Sequence, residues 1–292
     1  MEKKYRLLEN DTITINGRTL YRIEALRDFA DVEKGDKGGY VESEDNLSHV
    51  GNCWVFGNVL VFGNARVYGN ARVYGKAEVY GNAEVCGDAR VYGNAWVYGN
   101  ARVYGDARVY GKAEVYGNAE VYGNAWVYGN ARVYGNAWVC GDARVYGNAW
   151  VYGNARVYGK AEVYGKAEVY GNAEVYGNAE VYGNAWVYGN ARVYGNAWVY
   201  GNACVYGNAH VSGNAKVSGN ADYYVGKNVW SSGRYFTYTR SNRMWKVGCF
   251  YGTGEELIKK AYQDSEVSGR EYKRVVEYVE AMYADLEKDK SK

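Results

Sequence analysis

Proline is absent from this chain of 292 residues, where average usage of roughly 5% would place about 15. Phenylalanine (5) and histidine (2) are scarce beside 39 glycines and 34 tyrosines, a bias that marks a repeated unit. No apolar run approaches the ~20 residues of a membrane span, and no charged-then-apolar leader opens the chain. The expectation is a soluble, cytoplasmic protein without membrane contact. Five cysteines contain no C-x-x-C pair, so neither a zinc site nor an oxidising compartment is indicated. His49 and His210, the only two histidines, cannot build a three-histidine metal site within one chain, and no metal or cofactor is expected. Charge of one sign is also lacking: Lys+Arg 35 against Asp+Glu 33 leaves no strong field to draw in nucleic acid or an anionic membrane.

What is present is a hexad, G-N-A-x-V-Y. Glycine recurs at every sixth position from Gly51 to Gly219, 29 times without a gap. Within A-x-V-Y, Ala and Val lie two apart and share one face of a short strand, while x and Tyr share the other. Gly and Asn then supply a tight corner. A strand of about four residues cannot bury its Ala/Val face alone, whereas stacked coils can, which makes a solenoid.

These hexads resemble the hexapeptide-repeat, left-handed β-helix superfamily, in which three hexads form one triangular coil of 18 residues. The resemblance covers residues 51–224 and implies an all-β solenoid of nearly ten coils. It departs from the family's enzymes in placing Tyr directly after the inward Val. The opening Y-R-I-E-A-L-R-D-F and the later W-K-V-G-C-F-Y-G-T-G-E-E-L-I are similar to uncharacterised bacterial and phage repeat proteins, some labelled transferases on fold analogy. Residues 1–50 are expected to form an N-terminal cap with a hairpin at Asn16-Gly17. Residues 225–292 are expected to form a C-terminal α+β cap. Its strands are read at 234–240 and 243–251, and its last helix is read as capped by Ser268 with Glu271. The apolar stripe of that helix would pack on the solenoid or pair with a second copy, making the C-terminal cap the place for a homo-oligomer contact.

A period of 18 stacks the variable positions into columns. One face runs through Trp54, Arg72, Arg90, Arg108, Trp126 and Arg144. That stripe could hold a nucleic-acid strand by charge and stacking. Asp88, Asp106 and Asp142, however, each precede an arginine by two, and Lys76, Lys112, Lys160 and Lys166 each precede a glutamate by two. Each repeat is therefore expected to carry its own counter-charge, and nucleic acid is not the expected partner. The tyrosines form three outward columns, read as a structural ladder before a binding surface. Trp96, Trp150 and Trp186 are the ladder's candidate contact points for a protein, sugar or stacked ring.

The densest non-repetitive mixture of cations and rings is Arg234, Tyr235, Tyr238, Arg240, Arg243, Trp245 and Lys246. It suits a protein contact or a small anionic, nucleotide-like ligand. The leading functional expectation is a non-catalytic binding or scaffold protein. If the phage resemblance holds, it would act by blocking or sequestering a host component. The rivals are an acyltransferase-like enzyme with His49 or His210 in an inter-subunit cleft, and a binder of ice or glycan surfaces. His210 is expected to be an exposed ring without a catalytic role.

Overall fold

In the computed structural model, which describes residues 2–290, the hexads wind into a three-faced parallel β-solenoid of about ten coils. Each hexad contributes a two-residue rung, from Trp54–Val55 to Lys216–Val217. Every rung pairs in parallel with those one coil away, as Trp96 does with Glu78 and Glu114. The inward positions explain why the coils stack. Each hexad Ala and Val from Ala65 to Val217 is at most 1% exposed, and burying one Val side chain is worth ~1.5–3 kcal/mol.

The outward tyrosines from Tyr68 to Tyr200 lie flat, half-buried, rather than standing into solvent. From Tyr80 to Tyr188 and from Tyr92 to Tyr182 successive rings stack at 4.7–4.9 Å with planes within 5°. The ring spacing is the spacing of the strands themselves. Several hydroxyls donate to a glutamate of the next coil, as Tyr104 does to Glu120 at 2.8 Å and Tyr152 to Glu168 at 2.9 Å. Along one corner the asparagines add a third ladder, each amide from Asn64 to Asn190 donating to the one above, Asn100 to Asn118 at 2.9 Å for example.

Cys86 and Cys140 interrupt the third tyrosine column, leaving Tyr104 and Tyr122 as an isolated stacked pair. Cys86→Tyr and Cys140→Tyr should therefore stabilise the rod. Each new ring gains two neighbours at ~0.5–1.5 kcal/mol per stacked pair. Thermal unfolding checks this: a rise of a few degrees for each variant is expected, and an unchanged or lower midpoint would show that the column is too tight for a full ladder.

The chain enters through a hairpin of β1 (Tyr5–Ile15) and β2 (Arg18–Ala25), turned by Asn16 and Gly17 at φ 51° and 76°. Both residues are left-handed, as a two-residue hairpin turn demands. β3 (Lys37–Val41) then pairs in parallel with Leu60 and Val61, so the solenoid's second face begins before the first hexad. After the last coil come β4 (Tyr223–Lys227), β5 (Tyr235–Thr239), β6 (Met244–Val247) and β7 (Phe250–Gly252), an antiparallel sheet in chain order. Helices α1 (Gly254–Asp264) and α2 (Glu266–Lys290) pack on it. The expected pair of strands is thus four: Gly248, at φ 52°, breaks the run 243–251 in two, and Tyr223–Lys227 adds a strand before them. α2 also starts earlier than expected: the Ser265 hydroxyl accepts from the Ser268 backbone N–H at 3.1 Å, so Ser265 rather than Ser268 holds the helix start. The stripe of α2 packs on the cap's own sheet, where Tyr272, Val276, Val279 and Tyr283 meet Phe236, Tyr238 and Trp245.

Strand polarity dictates what each end needs. Along the rod each rung N–H donates toward the C-terminus, as Trp96 N–H does to the Ala113 carbonyl at 2.9 Å. The first coil is therefore left with carbonyls and the last with N–H groups, and buried groups of either kind require partners. At the start the donors are backbone N–H groups on part of the rim, as Tyr40 N–H to the Val59 carbonyl at 2.8 Å and Ser48 N–H to the Val67 carbonyl at 2.9 Å, and side chains on the rest. Lys4 Nζ reaches the Cys53 carbonyl at 2.8 Å, Arg22 the Gly57 carbonyl at 3.2 Å, and Asn46 the Gly63 and Ala65 carbonyls at 2.9 Å each. At the far end the acceptors are Asn220 for Cys204 N–H (2.8 Å), Thr237 for His210 N–H (2.9 Å) and Ser241 for Lys216 N–H (2.6 Å). Each of the three faces has one rung N–H closed in this way, and Asp222 also accepts from Ser218 N–H at 2.7 Å, which blunts the template for another strand.

Candidate functional site

Charges on the rod meet one another between coils. Arg132 reaches Glu114 at 3.2 Å, Arg144 reaches Glu162 at 3.3 Å, and Arg192 reaches Glu174 at 3.4 Å. Among the described residues no ion pair closes within a single repeat. The expected pairing of each Asp or Lys with the charge two residues on is therefore corrected to pairing across 18. Asp88 and Asp142 instead join the corner ladder, accepting from Asn70 and Asn124 at 3.1 and 3.0 Å. On the Arg/Trp face, Trp126 is held between Arg108 and Arg144, whose guanidiniums lie 5.0 and 5.2 Å from the ring, and Arg72 pairs with Asp31. Those cations are occupied.

Trp96, Trp150 and Trp186 share the second face and are 41%, 37% and 44% exposed. Arg132 lies 5.4 Å over Trp150, whereas Trp96 and Trp186 have no ring or cation partner among the described residues. Shallow hollows flank these columns, one lined by Arg132, Trp150, Lys166 and Glu168 and another by Trp126, Arg144, Lys160 and Glu162.

In the C-terminal cap the alternation of β5 and β6 divides the seven candidate residues. Tyr238 and Trp245 point to the helices and are 3% and 0% exposed, packed at 5.0 Å between ring centroids. They belong to the cap's core rather than to an open ring surface. Lys246 faces the other way, toward the solenoid end and His210. Arg234 and Tyr235 are exposed at the far end of β5, where Lys227 Nζ sits 5.6 Å over the Tyr235 ring. Arg240 and Arg243 converge on Glu287 at 3.4 and 3.5 Å. Arg243 holds φ 53°, a left-handed conformation uncommon outside glycine and asparagine.

Beside that ion pair lies a cleft of about 370 Å³ between the β5–β6 turn and the two helices. Tyr238 and Tyr283 line it, and Arg243, Glu255, Glu280 and Glu287 surround it. Tyr283 belongs to the apolar stripe of the last helix, and the glutamates beside it are not among the candidate residues read from the sequence. Their spacing on α2 was a usable signal: 280, 283, 284 and 287 fall on one helical face.

Both histidines sit at junctions between rod and caps. His210, expected to be exposed, is half-buried against Tyr194, and burial with nearby Arg192 and Lys246 pulls its pKa down to about 4. His49 stacks on Tyr5 at 4.3 Å, and its Nδ1 accepts from the Lys4 backbone N–H at 3.1 Å. Among the described residues no group of three or more His, Cys, Asp or Glu could hold a metal ion, and no helix is long and apolar enough to cross a membrane.

The repeat matches the family described as YdcK beta solenoid repeat, over residues 65–81, 83–99, 95–111, 101–116, 125–141, 137–153, 149–165, 185–201 and 197–213. All matched segments lie in the solenoid, and the chain is similar to that family there. No curated protein matches the chain.

Proposed function

We propose that this repeat β-solenoid protein is a non-catalytic binding scaffold. Its rod is a rigid spacer that fixes the distance and angle between an N-terminal hairpin and a C-terminal recognition cap. The observation that carries this reading is the division of labour on the surface. Along the rod the tyrosine rings and corner amides are taken up by neighbours one coil away, at ring spacings of 4.8 Å in mid-rod. The irregular cleft with unused polar groups lies in the cap. A histidine held near pKa 4 at a structural junction also supports a non-catalytic role over acyl transfer, since a general base works best with a pKa near the operating pH. Blocking or sequestering a partner is the use that the resemblance to phage repeat proteins suggests. Trp96 and Trp186, exposed and unpartnered on one flat face, favour a glycan surface as the second reading.

The test is a distance measurement between labels on the two caps. Deleting one whole coil, residues 105–122, should leave a single narrow distribution shortened by ~5 Å. Deleting one hexad, residues 117–122, should keep the fold but turn the C-terminal cap by about a third of a revolution, because three hexads complete a coil. A broad distribution, or a distance indifferent to the deletion, would contradict a rigid spacer.

A further inference from the structure

We infer that the C-terminal cleft is a site for an organic cation, a guanidinium or a primary ammonium on an aliphatic stem. This deepens the binding-scaffold reading and rests on it. Two observations are independent of each other. The first is a pair of buried, unpartnered polar side chains. Tyr238 and Tyr283 are 3% and 4% exposed, their rings lie 5.2 Å apart at the cleft, and neither hydroxyl has a hydrogen-bond partner among the described residues. Both hydroxyls open onto the cleft, so a ligand there can use their free donor and acceptor capacity. The second is an excess of carboxylate around them. Glu287 is engaged by Arg240 and Arg243, but Glu255 and Glu280 have no ion-pair partner among the described residues. Glu280 is held in place by the Trp245 indole N–H, which donates to it at 3.1 Å.

Every cation at the cleft is thus already paired, while two carboxylates and two phenol oxygens remain. An anionic or nucleotide-like ligand, which the cationic residues of this hairpin suggested in sequence, would meet Glu255 and Glu280 unscreened. A cation instead gains charge-assisted hydrogen bonds from them and the ring faces of Tyr238 and Tyr283. Gly254 keeps the mouth open, since a Cβ there would overlap Glu280 Oε1. The positive end of α1 opposes a cation only weakly, because Glu255 and Glu256 fill its first turn and Glu256 closes a capping box with Thr253.

The experiment is a titration of the full chain with agmatine, with a short neutral peptide carrying one arginine, and with inorganic phosphate. It is followed by the indole N–H resonance of Trp245. Agmatine or the peptide should shift that resonance and saturate at roughly millimolar concentration. Glu280→Gln and Glu255→Gln should each weaken binding about threefold or more, the pair about tenfold or more, with thermal midpoints retained. Tyr238→Phe should weaken it a few-fold while preserving the packing. A peptide at least about tenfold tighter than agmatine would identify the source as a partner's side chain, and equal affinities a free amine. No response to either cation, a response unchanged in the glutamine variants, or saturation by phosphate would overturn the inference. Such a result would leave the distance measurement on the two caps standing, so failure of the cleft and failure of the scaffold are told apart.

Discussion

Gly135→Ala is expected to destabilise the rod by ~3 kcal/mol or more, whereas Gly207→Ala, at the same hexad position two-thirds of the way around the last complete coils, should cost only ~1 kcal/mol. Both glycines are left-handed, at φ 70° and 66°, so both substitutions carry the same dihedral penalty. The surroundings differ. A Cβ on Gly135 would stand 3.0 Å from both the nitrogen and the oxygen of Gly153 in the next coil, while one on Gly207 would meet nothing within 4 Å. The atoms facing Gly135 are backbone, held by ladders on three faces, and cannot retreat without opening the stack. Gly207 lies where no further coil follows. Urea unfolding of the two variants separates the two contributions. Equal losses would mean that the corner's dihedral alone demands glycine and that the close approach of coils does not.

The period of the hexad made most of the rod legible. Spacing by 18 places Trp54 over Arg72 and Trp96 beside Glu78 and Glu114, as observed. What the period could not disclose was partner choice among the charges. Asp142 and Arg144 point to the same side, yet Asp142 accepts from Asn124 and Arg144 reaches Glu162, because the coil above is only one strand spacing away. The caps were harder still. Lys4, Arg22 and Asn46 at one end and Asn220, Thr237 and Ser241 at the other are single side chains with no periodic signature. Their role follows from strand polarity, which appears only once the coils are stacked. In the cap, the cluster read from 234–246 mixed the two faces of a sheet. Its buried half, Tyr238 and Trp245, joins the helices, and the acidic half of the cleft comes from α1 and α2, far along the chain.

The outward aromatic columns add to the inward Ala/Val core in holding the rod together, and alkaline titration tests their share most directly. Every tyrosine between Tyr80 and Tyr194 has its pKa raised, in most cases chiefly by burial, with neighbouring glutamates and ring hydroxyls adding to many. Tyr122, raised by the neighbouring Cys140 thiol and by burial, and Tyr176, desolvated in its stack, are both pushed up to about 12. A phenol with a raised folded-state pKa contributes stability that is complete below its ordinary value of 10 and is lost as pH rises through the folded value. Lys4 acts in the opposite sense, since burial lowers its pKa and neutralising it above that value relieves the cost, but it is one group against a column. Tyrosinate absorbance and far-ultraviolet circular dichroism should therefore change together in one steep transition, beginning above pH 10 and centred near 12. Tyrosines that titrate singly near pH 10 while the β-signal persists would contradict the claim, and would return those columns to the solvent as surface.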